Sequence, residues 1–389
     1  MSRIAEPQTL ADLEELALSS ANLMNVSYWT TGSERNITLA NNLSAFDQYV
    51  IKPRVLTDVT TCDLSWNGWN LPVGYAPSGS QGLAHAEGEL ATARAGRTRN
   101  VPMVLSSYSS QALEDVVEAA GNHAPEFLQL YIFKDRETTA EFVERAYRAG
   151  VKALLVTVDT PVLGKRPQLV KSRYKLPSYL DYGNFRGTPN AVRDPIQLIN
   201  DKLELGKDTT ENLSQNELDP GLTWEDVSWL KGITKGKMQV WLKGVLTAED
   251  TIKAIENGGV DGIWVSNHGG RQLDSAPGTL DMLPEIVHAA RVVKGKTTKE
   301  FGIHIDGGVR TGSDIFKAIA LGADFVWVGR PVIYGLAYDG QKGVELMTDI
   351  LANELRITMQ LAGVTHIKDI GPEYLLTWGP RFYPLKSNL

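Results

Sequence analysis

A chain of 389 residues with 42% hydrophobic and 22% charged residues has the balance of a folded globular protein, long enough for two average domains or one α/β barrel. A formal net charge of −7 argues against the basic surface that a nucleic-acid partner requires, and no apolar run approaches the ~20 residues of a membrane span. Cys62 is the single cysteine, which rules out an intrachain disulfide and suits a reducing compartment.

From the N-terminus, Thr9-Leu-Ala-Asp12 reads as a helix start, with Leu10, Leu13, Leu16 and Ala17 on one apolar face. The aromatic and turn residues of Tyr28-Trp29-Thr30-Thr31-Gly32 are expected to interrupt that helix, and a second is expected over Thr38 to Tyr49. Residues 1–71 thus read as a helical segment packing on a domain formed by 72–389. A repeat follows. Ala146-Tyr-Arg-Ala-Gly150 precedes Ala153–Val158, Ala254-Ile-Glu-Asn-Gly258 precedes Gly262–Ser266, and Ala318-Ile-Ala-Leu-Gly322 precedes Phe325–Gly329. Each is a helix end, a glycine stop and a short apolar strand. Thr247-Ala-Glu-Asp250 and Thr311-Gly-Ser-Asp314 mark helix starts.

Eight strands are predicted: Val73–Ala76, Val101–Leu105, Phe127–Tyr131, Ala153–Val158, Gln239–Leu242, Gly262–Val265, Gly302–Ile305 and Phe325–Val328. Strands alternating with helices imply a parallel sheet, and eight such units a closed TIM (β/α)8 barrel. An open doubly wound sheet is the alternative, unsupported by any Gly-x-Gly-x-x-Gly turn. Residues 160–238 break the rhythm as an insertion after strand four, polar over Lys207–Asn216, and read as a lid or a passive loop. The first residues lack the apolar core of a signal peptide. Lys386-Ser-Asn-Leu389 loosely resembles the peroxisomal Ser-Lys-Leu address, with Asn388 in the basic position. The expected location is the cytoplasm, with the peroxisome as the alternative.

The most informative stretch is Asp261–Asp274. An apolar strand ends at Ser266-Asn267-His268, two glycines follow, and Arg271 stands three residues beyond His268. In a barrel the residues after each strand converge on one mouth. Here they are Pro77-Ser78-Gly79, Ser106 with Tyr108, Gln129 with Tyr131, Thr157 with Asp159, Lys243, His268 with Arg271, Asp306-Gly307-Gly308-Val309-Arg310 and Gly329-Arg330. The last two groups follow strands seven and eight, where barrels bind phosphate; glycine N–H groups with Arg310 and Arg330 suit one. Lys243 ends an apolar strand, a costly place unless it meets an anion or an electron-rich ring. Across the mouth stand His268, Asp159, Arg166, Arg271, Tyr28 and Tyr131; two arginines suit a carboxylate, and a histidine near an aspartate suits a general base. Together they describe proton removal beside a carboxylate, next to a phosphate-bearing cofactor. No metal is expected.

Ser266-Asn-His-Gly-Gly-Arg-Gln272, Asp306-Gly-Gly-Val-Arg310, Gly329-Arg-Pro331 and Thr157-Val-Asp-Thr-Pro161 resemble the FMN-dependent 2-hydroxy acid oxidase/dehydrogenase family, which includes glycolate oxidase, lactate oxidase, lactate 2-monooxygenase and mandelate dehydrogenase. The resemblance runs from about Tyr28 to Pro331. It implies FMN as cofactor, a small 2-hydroxy acid as substrate, oxygen as acceptor and a homo-oligomer, tetramer or octamer. It also implies roles: His268 as base, Asp159 as its partner, Arg271, Arg166 and Tyr28 on the carboxylate, and Tyr131 on the hydroxyl. Tyr108 would shape the side-chain pocket. Pro77, Ser78, Gly79, Ser106, Gln129, Thr157 and Ser266 would contact the flavin ring, with Lys243 near its N1. Asp306 would touch the ribityl chain, and Gly308, Arg310, Gly329 and Arg330 the phosphate. These residues accommodate electrons leaving as a carbanion or as a hydride. Trp29 departs from a common second tyrosine, Tyr108 from the tryptophan of glycolate oxidases, and Gly79 from a frequent alanine. Gly79 is expected to leave space against the flavin face. The expected activity is oxidation to a 2-oxo acid with release of peroxide. The alternatives are lactate 2-monooxygenase-type decarboxylation, a dehydrogenase with another acceptor, and, from other classes, an FMN-binding isomerase barrel or an inert flavin-binding protein.

Overall fold

The computed structural model describes residues 6–121, 125–186, 218–257 and 259–377, and the backbone of 383–384. Eight parallel strands form its centre: β1 (Val73–Tyr75), β2 (Val104–Leu105), β3 (Phe127–Leu130), β4 (Ala153–Thr157), β5 (Gln239–Val245), β6 (Gly262–Val265), β7 (Gly302–Asp306) and β8 (Phe325–Val328). They pair in the order β1-β8-β7-β6-β5-β4-β3-β2. A parallel bridge between Tyr75 and Met103, with the Tyr75 N–H donating to the Pro102 carbonyl at 2.9 Å, brings β1 against the start of β2 and closes the barrel. The TIM-barrel expectation holds. Strand two is shorter than the predicted 101–105 because Pro102 has no N–H for the ladder. Strand five is longer, reaching Val245 through a bulge at Gly244.

The period-two alternation of each strand separates two cores. Outward-facing Leu128, Leu154, Val240, Leu242, Ile263, Val265, Ile303 and Val326 join the helices in one large apolar cluster. Inward-facing Val104, Phe127, Leu155, Trp241, Trp264, Phe325 and Trp327 fill the barrel in a separate one. Gly74, Gly262 and Gly302 make room for those rings: a Cβ on Gly302 would stand 2.0 Å from Trp241, one on Gly262 2.3 Å from it, and one on Gly74 2.3 Å from Trp327. His304 sits among the rings and accepts the Trp327 indole N–H at 3.1 Å; burial holds its imidazole down to about 3, so it is neutral. Below them Trp66 and Trp69 exchange backbone hydrogen bonds and cover the bottom of the barrel.

The helix starts behave as their sequences indicate. Thr9 and Asp12, and Thr311 and Asp314, form reciprocal capping boxes, each cap worth about 1 kcal/mol, and Thr247 Oγ1 accepts the Asp250 N–H at 3.1 Å. The N-terminal segment differs from expectation in an additional helix and in Tyr49, which leaves the helix for a strand. The first helix, Leu10–Ser20, ends before Asn22, which caps a new helix, Leu23–Thr30, by accepting the Asn25 N–H at 2.8 Å. Tyr28 and Trp29 therefore lie inside a helix, since aromatic side chains do not break one as a competing cap does. The next helix runs Ile37–Asp47, and Tyr49–Ile51 is a strand that pairs antiparallel with Leu375–Thr377. Of the insertion, residues 187–217, which include Lys207–Asn216, lie outside the described residues, as does Lys386–Leu389.

Candidate active site

The polar residues predicted at the strand ends meet at the mouth of the barrel. A single cleft is lined by Tyr28, Pro77, Ser78, Gly79, Ser106, Tyr108, Gln129, Tyr131, Thr157, Arg166, Lys243, His268, Arg271, Asp306, Gly308, Arg310, Gly329 and Arg330. Asp159 and Ser266 stand behind this lining, bonded to its members. The cleft also takes Leu163 and Tyr182 from the insertion and Trp327 from the aromatic layer beneath.

His268 occupies a strained turn. Its φ is 59°, in the left-handed region that non-glycine residues seldom adopt, at a cost of roughly 1–3 kcal/mol. The surroundings over-determine it. Ser266 Oγ accepts the His268 N–H at 3.1 Å, Asn267 Oδ1 accepts the Gly270 N–H at 3.1 Å, and the Gly270 carbonyl accepts Ser33 N–H at 2.8 Å. Asn267 and Asn42 exchange side-chain hydrogen bonds of 2.7 and 2.8 Å, which dock the helix Ile37–Asp47 under the turn. The imidazole Nδ1 lies 2.9 Å from Asp159 Oδ1, leaving Nε2 for the cleft. Gly244, with φ 108°, admits the Asp159 side chain, which a Cβ there would approach to 2.5 Å.

The electrostatics suit a base. Burial pushes the His268 pKa down; Asp159 pulls it back up, Lys243 pushes it down again, and the outcome lies below the ordinary 6.5. Burial opposes the charge on Asp159, but His268 and Lys243 outweigh it and hold the carboxyl below its usual range. The site therefore holds a neutral imidazole on an ionised carboxylate, ready to gain a proton as an ion pair. Burial, reinforced by Asp159, raises the Tyr131 phenol, which stays a neutral hydrogen-bond donor.

Arg271 Nη2 donates to the Tyr28 carbonyl at 2.5 Å with its guanidinium 4.7 Å above the Tyr28 ring, and its buried Nε has no hydrogen-bond partner within the described residues. Arg166 reaches the Arg271 carbonyl at 3.4 Å, so two cations share one corner. Gln272 ties the corner to the insertion through the Asp159 and Val162 carbonyls, both at 2.9 Å. One wall of the cleft is aromatic: Tyr108 packs on Tyr131 at 5.5 Å and on Tyr182 at 5.1 Å.

On the other side, Gln129 links Ser106 and Thr157 by bonds of 3.3 and 3.0 Å, and Ser266 Oγ donates to Asp306 at 2.7 Å. Lys243 is 4% exposed, with Nζ 3.7 Å from Asp306. Two sequence expectations are revised. Arg330 is no simple phosphate ligand: Nε donates to the Trp29 carbonyl at 2.7 Å, Nη1 to Gly269 at 2.9 Å and Nη2 to Thr31 at 3.1 Å. A fork of donors at the foot of the cleft finds backbone carbonyls first. Burial, and then Arg271, lower its pKa to about 9. Gly79 leaves no vacant space either, because a Cβ there would meet the Tyr108 carbonyl at 3.0 Å and its Cβ at 3.3 Å.

These features fit FMN. Three guanidinium groups, Arg271, Arg310 and Arg330, gather without a bonded carboxylate among the described residues, as a site for anions requires. A Cβ on Gly329 would find its first neighbour only at 3.9 Å, leaving its backbone open to the cleft. The buried Lys243 ammonium, 3.7 Å from its carboxylate, has room for an electron-rich ring edge. Ser106, Gln129 and Thr157 form the polar wall that could face such a ring.

Comparison with known proteins agrees. Mouse 2-hydroxyacid oxidase 1 is 41% identical over 365 residues, 93% of this chain and 94% of that protein. The Arabidopsis thaliana peroxisomal (S)-2-hydroxyacid oxidase GLO4 is 40% identical over 382 residues, 97% and 98% of the two chains. The crystal structure of mandelate oxidase superposes with a TM-score of 0.82 at 34% identity, covering 96% of this chain and 99% of the other. The family model for FMN-dependent dehydrogenases matches residues 19–377, so with the barrel, the cationic cleft and the His268–Asp159 pair the chain belongs to the FMN-dependent dehydrogenase family, with FMN as its cofactor.

Proposed function

We propose that this protein oxidises a small (S)-2-hydroxy acid to the 2-oxo acid and passes the electrons through FMN to oxygen, releasing hydrogen peroxide. The observation that carries the reading is the His268 Nδ1–Asp159 bond of 2.9 Å beside a corner of two arginines, one with an unbonded Nε. Arg166 and Arg271 hold the substrate carboxylate as charge-assisted donors, with Tyr28 fixed beneath Arg271. Tyr131 donates to the substrate hydroxyl. His268 Nε2 accepts a proton, and Asp159 stabilises the imidazolium that forms. Bound FMN supplies the two-electron acceptor. Pro77, Ser78, Gly79, Ser106, Gln129, Thr157, Lys243 and Ser266 would hold its ring. Asp306 would hold its ribityl chain, and Gly308, Arg310 and Gly329 its phosphate, with Arg330 fixing the neighbouring backbone. The named relatives, 2-hydroxyacid and mandelate oxidases, support the substrate class.

Anaerobic mixing of the flavinated protein with a panel of 2-hydroxy acids, followed by oxygen and product analysis, tests this. The expected result is flavin bleaching by at least one (S)-acid, then equal amounts of 2-oxo acid and peroxide. A decarboxylated product without free peroxide would convert the reading to a monooxygenase, and no bleaching would overturn it. Residues 160–238 are proposed as a lid whose Tyr182 and Leu163 already reach the cleft. Residues 1–71 are proposed as a segment fixed to a single barrel domain, 72–389. Assembly as a homotetramer or octamer is checked by sedimentation, and cytoplasmic against peroxisomal residence by a fluorescent fusion that keeps Leu389 as its free end.

A further inference from the structure

Among the described residues, Glu89 is the carboxylate with no exposed surface at all. It lies in the first turn of the helix Gly88–Arg99, outside the cleft, and its surroundings supply hydrogen bonds and no cation. A bare charge in that position is costly and persists only where donors satisfy it. Burial raises its pKa, and the Ser110 hydroxyl, then the Gln81 and Ser110 N–H groups, pull it back. Oε1 accepts the Gln81 N–H and the Ser110 N–H, both at 3.0 Å, and Oε2 accepts the Ser110 hydroxyl at 2.5 Å. Ser110 Oγ in turn accepts the Gly82 N–H at 3.0 Å, and Ser80 N–H donates to the Tyr108 carbonyl at 3.0 Å.

Gln81 and Ser110 belong to different loops. One follows β1 and carries Ser78 and Gly79; the other follows β2 and carries Ser106 and Tyr108. These loops form adjoining parts of the cleft wall, and they already touch where Gly79 meets Tyr108. We propose that Glu89 is a positioning residue: its carboxylate sets the spacing of the two loops, and so the width of the slot between Gly79, Tyr108 and Tyr182 that receives the substrate side chain. The role of that slot rests on the hydroxy-acid reading above.

The test uses Glu89→Gln, which keeps the shape but replaces one of the two accepting oxygens with an NH2 that cannot accept the loops' donors. FMN affinity is measured by flavin fluorescence, and KM and the limiting rate of flavin reduction are measured at FMN saturation. The expected result is a KM raised about tenfold, a limiting rate within about threefold of wild type, and weaker FMN binding, because binding geometry changes while the base is untouched. Gly79→Ala acts on the same contact, so the KM shift of the double variant should fall well short of the product of the single shifts. Leu283→Ala, in the outer core, should lower the unfolding midpoint with KM and FMN affinity unchanged. If Glu89→Gln fails to fold, Ser110→Ala takes its place with the same expected KM shift. Unchanged KM and FMN affinity in a folded variant, or strictly multiplicative effects with Gly79→Ala, would overturn the proposal. Should the wild type reduce with no hydroxy acid, that earlier reading fails, and the FMN-affinity shift alone decides for or against Glu89.

Discussion

Trp241 and Lys243 stand two residues apart on β5, and both point into the barrel. Trp241 belongs to a layer of Phe127, Leu155, Trp264, His304 and Trp327, closely packed and held neutral. Lys243 belongs to the layer above, with Ser106, Gln129, Thr157, Ser266 and Asp306, where nearly every side chain is polar and hydrogen-bonded to its neighbour. One pleat of the same strands separates a layer that stabilises the barrel from one that carries its chemistry. The aromatic floor is buried and closely packed, so the charges above it stand over a low-dielectric layer that keeps their strength.

The sharpest way to break this division is at its most polar point. His268→Ala should retain FMN and lose about 10²–10⁴-fold in the rate of flavin reduction, measured anaerobically by stopped flow. A loss under tenfold would remove His268 from the role of base. Because its pKa lies below 6.5, the acid limb of the wild-type kcat/KM profile should fall below that pH: the neutral base survives into mild acid and is lost as pH drops further. In the floor, Trp264→Ala should cost about 3–5 kcal/mol of stability in denaturant titration, a large-to-small change among packed rings. Arg271→Met should raise substrate KM about 10–100-fold with FMN affinity kept, since a charge-assisted contact is lost. Arg330→Met should weaken both FMN and substrate, because its guanidinium braces the carbonyls of Trp29, Thr31 and Gly269 beside Tyr28 and His268. Loss of FMN alone would restrict Arg330 to the phosphate. The smallest effect is expected for Gly79→Ala, which must shift Tyr108 by a few tenths of an ångström; a several-fold change in KM, read from steady-state kinetics, is the predicted extent.

Much of this was legible in the sequence because barrels put chemistry at strand ends, and glycine stops mark where strands begin. The eight strands and the cleft residues at their ends, from Pro77 to Arg330, follow from that rule; Tyr28, in the N-terminal segment, and Arg166, in the insertion, do not, and their roles rest on the family resemblance. Other features depend on register. Gly74, Gly262 and Gly302 fall inside the predicted strands with no signal of their own until pairing sets Trp241 beside Gly262 and Gly74 beside Trp327. Tyr182 and Leu163 lie in an insertion with no periodic signal, so their place in the cleft depends on how the loop folds back. Arg330 suggested a phosphate by its charge and its place after strand eight, whereas its bonds depend on carbonyls some 300 and 61 residues away in sequence. Glu89 gave no signal, since an acidic residue in a first helical turn is ordinary on a surface and only burial makes it informative.

The account is tested most directly on β5 itself, by measuring anaerobic flavin reduction with a 2-hydroxy acid and the unfolding midpoint for wild type, Lys243→Met and Trp241→Phe. The predicted result is a wild type that is bleached by the acid. Lys243→Met should be reduced about 10²–10³-fold more slowly with its unfolding midpoint kept, as for loss of a preorganised charge. Trp241→Phe should unfold at lower denaturant while reducing within a few-fold of wild type. A wild type that no 2-hydroxy acid bleaches, or variants that lose rate and stability together, would contradict it.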